Sequence, residues 1–243
     1  MLSIFNYVFL FYSSSPLQLF PFFLIHTMFH LGRKLATSLF LPSSPAFHAY
    51  SRNLSMSENR SNRDRIVWID CEMTGLDLEV DVLMEVAVII TDKNLKPTKE
   101  GLNIVIHQPD SVLDAMTGFP KESHAKTGLT AACRMSKIDV KQAENDICNF
   151  IKRECGTTFG RPLLAGNSVG FDAKFLRKYM PSVTDILHYR IIDVSTIHEC
   201  YNLWDREKLK FCPKKRKTHR ALDDILESIE QMKVFKRIMF KQN

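Results

Sequence analysis

The apolar runs after residue 65, and the order in which they occur, most limit what this chain can fold into. Three early runs are rich in β-branched residues and are bounded by charged or turn-forming residues; they span 66–69, 82–91 and 102–107. Runs of this length and composition predict buried β-strands. The folded part of the chain therefore begins with three strands that follow one another in sequence.

Helical spacing dominates from residue 137 onward. Ile138, Ala143, Ile147 and Ile151 recur at the spacing of one helix face, which predicts a helix within 137–154. The elements that follow are predicted as a strand at 163–165, a helix at 171–179, a strand at 190–194, a helix from residue 196 and a last helix that begins near residue 220. Strands followed by strand–helix alternation predict an α/β fold with a mixed sheet.

The first 57 residues differ in composition from the rest of the chain. They contain Arg33, Lys34 and Arg52 but no Asp or Glu, and from Met28 onward they are basic and rich in Ser. This composition is typical of an organelle transit peptide, and we expect a mitochondrial protein. Translation from Met56 would instead give a cytoplasmic form.

This leader also bears on domain organisation. Its apolar run at 4–12 is shorter than the roughly 20 residues that a membrane-spanning helix needs, so we expect no stable membrane association. We predict an N-terminal targeting or disordered segment at 1–57, a linker at 58–65 and one folded domain at 66–240.

Charge and cysteine content disfavour several classes of protein. The chain has 33 Lys and Arg against 27 Asp and Glu, and without the three basic residues of the leader 30 remain against 27. So small an excess suits brief contact with an anionic substrate, not the long phosphate footprint of a tight duplex binder. The six cysteines include no CxxC pair, which disfavours structural zinc and a disulfide scaffold and predicts free thiols.

An acidic pair ends the first predicted strand. Asp70 and Glu72 are two residues apart, so both side chains project from the same face of a strand. Adjacent anions repel one another, and a cation between them relieves that repulsion. A strand end in contact with solvent would account for the pair equally well, so the pair alone assigns no function.

Two further acidic clusters lie near the starts of predicted helices. Asp172 follows the strand at 163–165, at a strand-to-helix turn where α/β proteins build sites, or it is an ordinary helix-start residue. His219 precedes the last helix and Asp224 lies in its first turn, so both can face one cleft, although His219 could also be structural. Asp223 breaks the spacing from His219 and is interpreted as a helix-turn acid.

In combination these clusters resemble a known family. The order D-x-E, then D, then H-x-x-x-x-D is similar to that of the DEDDh exonucleases. Five stretches look like oligoribonuclease: WIDCEMTGLD at 68–77, AGNS at 165–168, KYMP at 178–181, HYRIIDVST at 188–196 and HRALDD at 219–224. The resemblance covers about residues 64–240 and implies a single exonuclease domain of α/β class, with a ribonuclease H-like mixed sheet flanked by helices.

The resemblance also implies an activity, the 3′-to-5′ hydrolysis of short oligoribonucleotides to 5′-mononucleotides. Asp70, Glu72, Asp172 and Asp224 would be the metal ligands, and their oxygen donors suit two Mg²⁺ or Mn²⁺ ions per active site, not zinc. His219 would be the general base that accepts a proton from the attacking water.

Substrate contacts follow from the same resemblance. Leu76 and Phe119 would flank the bases, with His124 nearby, although bacterial relatives commonly have Trp where Phe119 stands. An apolar or aromatic wall of this kind holds any base without sequence preference.

The resemblance further implies a phosphate cap and a partner subunit. Ser168, Arg190 and Ser195 would close over the phosphate end of a very short RNA. Tyr189 would reach the active site of a second subunit, so the expected partners are short RNA oligonucleotides and a second copy of the chain.

Three alternatives remain open at this stage. A general single-stranded RNA or DNA 3′-to-5′ exonuclease would share the metal ligands but would lack a cap, and a non-catalytic nucleic-acid-binding relative would keep only the fold. A membrane-associated interaction protein would leave the carboxylate pattern unexplained. The basic run at 214–217 could attract RNA, resemble a nuclear localisation signal or form a solvated loop.

Overall fold

The computed structural model describes residues 64–156, 160–213 and 220–240. One sheet has the strand order β3-β2-β1-β4-β5. Its strands are β1 (Arg65–Met73), β2 (Leu83–Asp92), β3 (Leu102–Val105), β4 (Leu163–Gly166) and β5 (Ile191–Asp193). The first three strands pair antiparallel, whereas β4 is parallel to β1 and β5 is parallel to β4. The predicted mixed α/β sheet is confirmed.

Helices follow the strands in the order expected from the apolar spacing. The α-helices are α1 (Asp110–Ala115), α2 (Gly118–Lys126), α3 (Leu129–Met135), α4 (Val140–Cys155), α5 (Gly170–Tyr179), α6 (Pro181–Ile186), α7 (Val194–Trp204) and α8 (Ala221–Met239), and a 3₁₀ helix spans Arg206–Phe211. The helices α1–α3 and α6 are absent from the sequence prediction, because each is short and has few apolar residues at helical spacing.

Alternate side chains of β1 pack into two cores, one on each face of the sheet. Val67 and Ile69 belong to a core that α4 and α5 complete. Ile66 and Trp68 belong to the other core, which is filled from α8 by residues such as Ile225. Because side chains of a strand alternate between faces, the residues that follow Trp68 at steps of two continue the face that α8 covers.

The first strand is longer than the sequence predicts. It continues to Met73 and not to residue 69, because β2 pairs with it through Glu72 and beyond. Asp70 and Glu72 therefore lie within the strand near its C-terminal end, and not just after it. Pairing with β2 keeps this part of the backbone extended through Glu72, so the two side chains keep the alternation on which the site depends.

Two expectations about composition can be compared with the structure. Within the described ranges, no helix is both long enough and apolar enough to cross a membrane. All six cysteines are free thiols, and Cys71, Cys133, Cys148 and Cys155 are buried.

A core substitution on α8 tests how much this helix contributes to stability. Ile229 is 1% exposed in the core beneath β1, so Ile229→Ala should lower the free energy of unfolding by about 2–5 kcal/mol through lost burial and a cavity. Leu226 is 41% exposed on the same helix, and Leu226→Ala should lower it by less than about 1 kcal/mol. Urea unfolding followed by tryptophan fluorescence measures both; similar losses would contradict the packing of α8.

Candidate active site

Three carboxylates from two elements meet above the C-terminal end of β1. One oxygen atom from each of Asp70, Glu72 and Asp224 lies within 4.8 Å of the others. Asp70 and Glu72 continue the face of β1 that α8 covers, and Asp224 stands in the first turn of α8. The side-chain alternation of β1 and the packing of α8 on that face therefore bring the three carboxylates together.

Asp172 lies beside this cluster but is not one of its three members. It stands in the first turn of α5, is 6% exposed, and its Oδ1 accepts the backbone N–H of Cys71 at 2.8 Å. The pairing of β4 with β1 reaches only to Trp68. Beyond that point Asp172, and not β4, accepts a hydrogen bond from the backbone of β1. Burial raises the pKa of Asp172 to about 6.

Burial and nearby negative charge shift the pKa of Glu72. It is raised to about 8, first by burial and then by neighbouring carboxylates. Those neighbours are Asp224, Glu85 and Asp172, whereas Arg220 acts in the opposite direction. The set has only oxygen donors, and its mutual repulsion is relieved by a hard divalent cation, so the residues present fit such an ion.

A cleft of about 750 Å³ opens beside the acidic cluster. Glu72 and His124 line it, together with Leu76 and Phe119, which are 62% and 66% exposed. His124 is buried; its Nε2 lies 2.9 Å from the carbonyl oxygen of Met73, and its Nδ1 lies 3.9 Å from Glu72 Oε2. Two exposed apolar side chains thus stand at the entrance of a cleft with acidic residues in its wall.

The loop that carries Leu76 is organised by Asp81. The carboxylate of Asp81 accepts the hydroxyl of Thr74 at 2.7 Å, and its backbone carbonyl accepts the hydroxyl of Tyr179 at 2.7 Å. At Gly75 there is no space for a side chain, because a Cβ would lie 2.7 Å from Cγ of Asp81. Leu76 is therefore presented by a loop whose conformation is fixed on both sides.

Ser168 and Ser195 are adjacent, with their Oγ atoms 3.2 Å apart. The backbone N–H of Ser168 donates to Asp193 Oδ1 at 2.9 Å, and Ser195 donates to the same atom from its N–H at 2.9 Å and its hydroxyl at 2.5 Å. Asp193 is not predicted as a site residue from the sequence, although an Asp two residues before a Ser at a helix start is a capping signal.

Arg190 and Tyr189 form an exposed stack just before β5. Tyr189 is 78% exposed, and its ring stacks on His188 with centroids 4.5 Å apart. The guanidinium of Arg190 lies 5.1 Å from the ring centroid of Tyr189. The structure thus brings the two predicted cap serines into contact, whereas Arg190 packs on Tyr189.

Two features of the sequence analysis lie outside the described residues. They are His219, the predicted general base, and the basic run at 214–217. Arg220, which directly follows His219 in the chain, is described and contacts Glu85.

Comparison with known proteins shows the family to which the chain belongs. A family model described as Exonuclease matches residues 67–232. The oligoribonuclease of Homo sapiens, named as mitochondrial, is 47% identical over 188 residues, which cover 77% of this chain and 78% of the human protein. The chain belongs to the oligoribonuclease family. It is thus a nuclease of the hydrolase class. A probable oligoribonuclease of Caenorhabditis elegans is also similar, at 44% identity over 72% of this chain and 89% of its own length.

Solved structures support the fold of this oligoribonuclease family member. Exonuclease I of Methylocaldum szegediense superimposes with a TM-score of 0.54 at 16% identity, over 71% of this chain and 40% of that chain. A zinc-bound complex of E. coli exonuclease I with single-stranded DNA gives a TM-score of 0.51 at 16% identity, over 72% and 40%. The chain spans about 40% of these proteins, and the likeness concerns the fold alone.

The raised pKa of Glu72 predicts how cation binding depends on pH. A cation needs the ionised carboxylate, so a proton competes with it below the pKa of about 8. The apparent affinity for Mn²⁺, measured by calorimetry, should therefore rise by up to about tenfold per pH unit from about pH 6 to about pH 8 and then level off. An affinity that does not change over this range would contradict the prediction.

The raised pKa of Glu72 also predicts how the stability of the cation-free chain depends on pH. The folded chain holds the proton on Glu72 from the ordinary pKa of 4.5 up to about 8, so the free energy of unfolding should fall as pH rises across that window. In Glu72→Gln this dependence should be smaller, because the amide does not titrate.

Proposed function

We propose that the chain is a 3′-to-5′ exoribonuclease that degrades RNA of two to a few nucleotides to 5′-mononucleotides. The observation that carries the proposal is the meeting of Asp70, Glu72 and Asp224 beside the cleft at whose entrance Leu76 and Phe119 stand. Membership of the oligoribonuclease family supports the choice of short RNA as substrate.

The cations are proposed to be two Mg²⁺ or Mn²⁺ ions per active site. Asp70, Glu72, Asp172 and Asp224 would hold them, because carboxylate oxygens suit these ions better than zinc. Such ions, when bound, supply stabilisation of the negative charge on the attacking and leaving oxygens. Through these ions the carboxylates would position the scissile phosphate near β1 and α8.

His219 is proposed as the general base. Its ordinary pKa is near 6.5, so its neutral ring can accept a proton from the attacking water at neutral pH. Support comes from its place five residues before Asp224 and next to Arg220. The leaving group would be the 3′ oxygen of the penultimate nucleotide.

Substrate length is proposed to depend on the two ends of the site. Leu76 and Phe119 would hold the bases between them, since both are exposed at the cleft. Ser168, Ser195 and Arg190 would bind the phosphate at the 5′ end of a dinucleotide. The contact between the two serines and the exposure of Arg190 support this role.

Substitution of the proposed ligands and base tests the chemistry. Alanine in place of Asp70, Glu72, Asp172 or Asp224 should remove nearly all RNA hydrolysis, because the cations lose a ligand. His219→Ala should retain Mn²⁺ and RNA binding but slow hydrolysis by roughly a hundredfold to ten-thousandfold. Turnover of labelled dinucleotides and Mn²⁺ binding are measured on the same preparations.

The matched control for these variants is Asp223→Asn. Asp223 is in the same helical turn as Asp224 but has no proposed role, so its substitution should leave turnover nearly unchanged. If the unaltered chain bound RNA and Mn²⁺ but hydrolysed nothing, it would be a non-catalytic relative and the proposal would be wrong.

A length series tests the cap. Turnover should fall as RNA is lengthened from two to about twenty nucleotides, and Arg190→Ala should reduce dinucleotide cleavage about tenfold more than cleavage of long RNA, since a charge-assisted contact is lost. Arg134→Ala is the control, because Arg134 contacts only surface carboxylates on α1 among the ion pairs described. Equal turnover on twenty-nucleotide RNA would favour the general single-strand exonuclease.

A homodimer is proposed in which Tyr189 reaches the neighbouring active site. Its ring is exposed, which leaves it accessible to a second subunit. Leu203 and Trp204 are neighbouring exposed apolar side chains at the end of α7, and contiguous exposed apolar surface is typical of sites that bind another protein. Mixing Tyr189→Ala with the inactive Asp70→Ala chain should restore activity, because one mixed site then has both residues. No restoration in mixed dimers, or a monomer in light scattering, would refute the role of Tyr189.

The N-terminal residues are proposed to direct the chain to mitochondria. We propose a targeting segment at 1–57, a linker at 58–65 and the exonuclease domain at 66–240; the human and bovine relatives are named as mitochondrial. A fusion carrying residues 28–57 should enter mitochondria, and one that begins at Met56 should stay in the cytosol. Cytosolic distribution of the longer fusion would refute the targeting role.

A further inference from the structure

Glu85 places a fully buried carboxylate next to the acidic cluster. It lies in β2, is 0% exposed, and stands directly opposite Glu72 in the pairing of β1 with β2. Directly opposite residues of paired strands share a face, so Glu85 faces α8. It is not a member of the cluster of Asp70, Glu72 and Asp224. A charge is retained at such a position only when other groups compensate it.

Three residues donate hydrogen bonds to this carboxylate. Arg220 donates from Nη2 at 2.7 Å and from Nε at 3.3 Å, and Asn103 donates from Nδ2 at 2.9 Å. The backbone N–H of Ala221 donates at 3.4 Å. Asn103 belongs to β3 and Ala221 is the first residue of α8, so Glu85 joins two strands of the sheet to the start of the last helix.

Glu85 caps α8 from a different element. The N-cap residue of α8, Arg220, makes no side-chain capping bond, and the first N–H groups of a helix need acceptors outside it. A negative charge at a helix N-terminus is also favourable. Asp224 lies in the first turn of α8, so the position of Asp224 follows from where Glu85 holds the start of the helix.

We propose that Glu85 is a positioning residue of the metal site: through Arg220 and the start of α8 it sets how close Asp224 comes to Asp70 and Glu72. The inference rests on the proposed function, because it takes these carboxylates to be cation ligands. Arg220 neutralises Glu85, so the pair adds little net charge beside the cluster. What the pair contributes is the placement of the helix.

Glu85→Gln tests the proposal, with Glu144→Gln as a matched control. Glu144 is also a buried carboxylate, 2% exposed, and it accepts the N–H of Ser182 at the start of α6. Binding of Mn²⁺ is measured by electron paramagnetic resonance, with oxygen excluded and at a pH above about 8, where Glu72 is ionised. We expect Glu85→Gln to weaken binding about tenfold or more and Glu144→Gln to change it less than about twofold.

Thermal unfolding of the cation-free variants completes this experiment. A stabilising role alone would lower the unfolding midpoint of both variants and leave Mn²⁺ affinity unchanged in both. Affinity of Glu85→Gln within about twofold of the unaltered chain would therefore overturn the proposal. Failure of the unaltered chain to bind Mn²⁺ would instead refute the metal site of the proposed function.

Substitution of Arg220 separates placement from charge. Arg220 lowers the pKa of Glu72, so its positive charge disfavours a nearby cation, and its removal would tighten Mn²⁺ binding if charge alone mattered. Placement predicts the opposite, a loss of about tenfold in Arg220→Gln. Arg220→Lys keeps the positive charge but cannot make both guanidinium hydrogen bonds to Glu85, so it should weaken Mn²⁺ binding about threefold. This variant replaces Arg220→Gln as the test if Arg220→Gln does not fold. Unchanged or tighter binding in the folded variant would overturn the proposal.

Discussion

Repulsion among carboxylates that lie within 4.8 Å of one another raises the free energy of the folded chain. Two of these groups, Asp70 and Glu72, share a face because side chains alternate along β1, and the apolar face of α8 brings Asp224 over them. Burial of apolar residues on α8 therefore offsets the repulsion. Burial and, after it, the neighbouring carboxylates raise the pKa of Glu72 to about 8, so a proton or a cation at this site is favoured.

Periodicity alone predicts much of this fold. Apolar runs predict strands where β1 to β5 lie, and helical spacing predicts a helix where α4 lies. The buried side chains of these elements form the cores. The boundaries are less predictable, because pairing with β2 extends β1 beyond its apolar run. Helix α2 has Ser123 and His124 as its buried residues, so no apolar periodicity indicates a helix there.

Residue type and spacing also predict candidate side chains that the structure brings together, such as Asp70, Glu72 and Asp224, but not which residues hold them in place. Glu85 and Arg220 are 135 residues apart, and Ser168 and Asp193 are 25 apart, so these pairs meet only after the sheet has formed. A signal for Glu85 exists in retrospect, since β2 is otherwise almost entirely apolar and a charge in such a strand needs a partner. The identity of that partner is a property of the three-dimensional structure.

The residues proposed to select short substrates are held by carboxylates other than the proposed cation ligands. Ser168 has φ of 57°, a left-handed conformation that costs a non-glycine residue about 1–2 kcal/mol. Its backbone N–H is shared between Asp193 Oδ1 and Ser195 Oγ, and this contact offsets about 0.5–1.5 kcal/mol of that cost. Asp81 holds the loop of Leu76 by accepting the hydroxyl of Thr74. Since these supports lie outside the cation-binding set, the preference for short RNA can weaken while hydrolysis itself is retained.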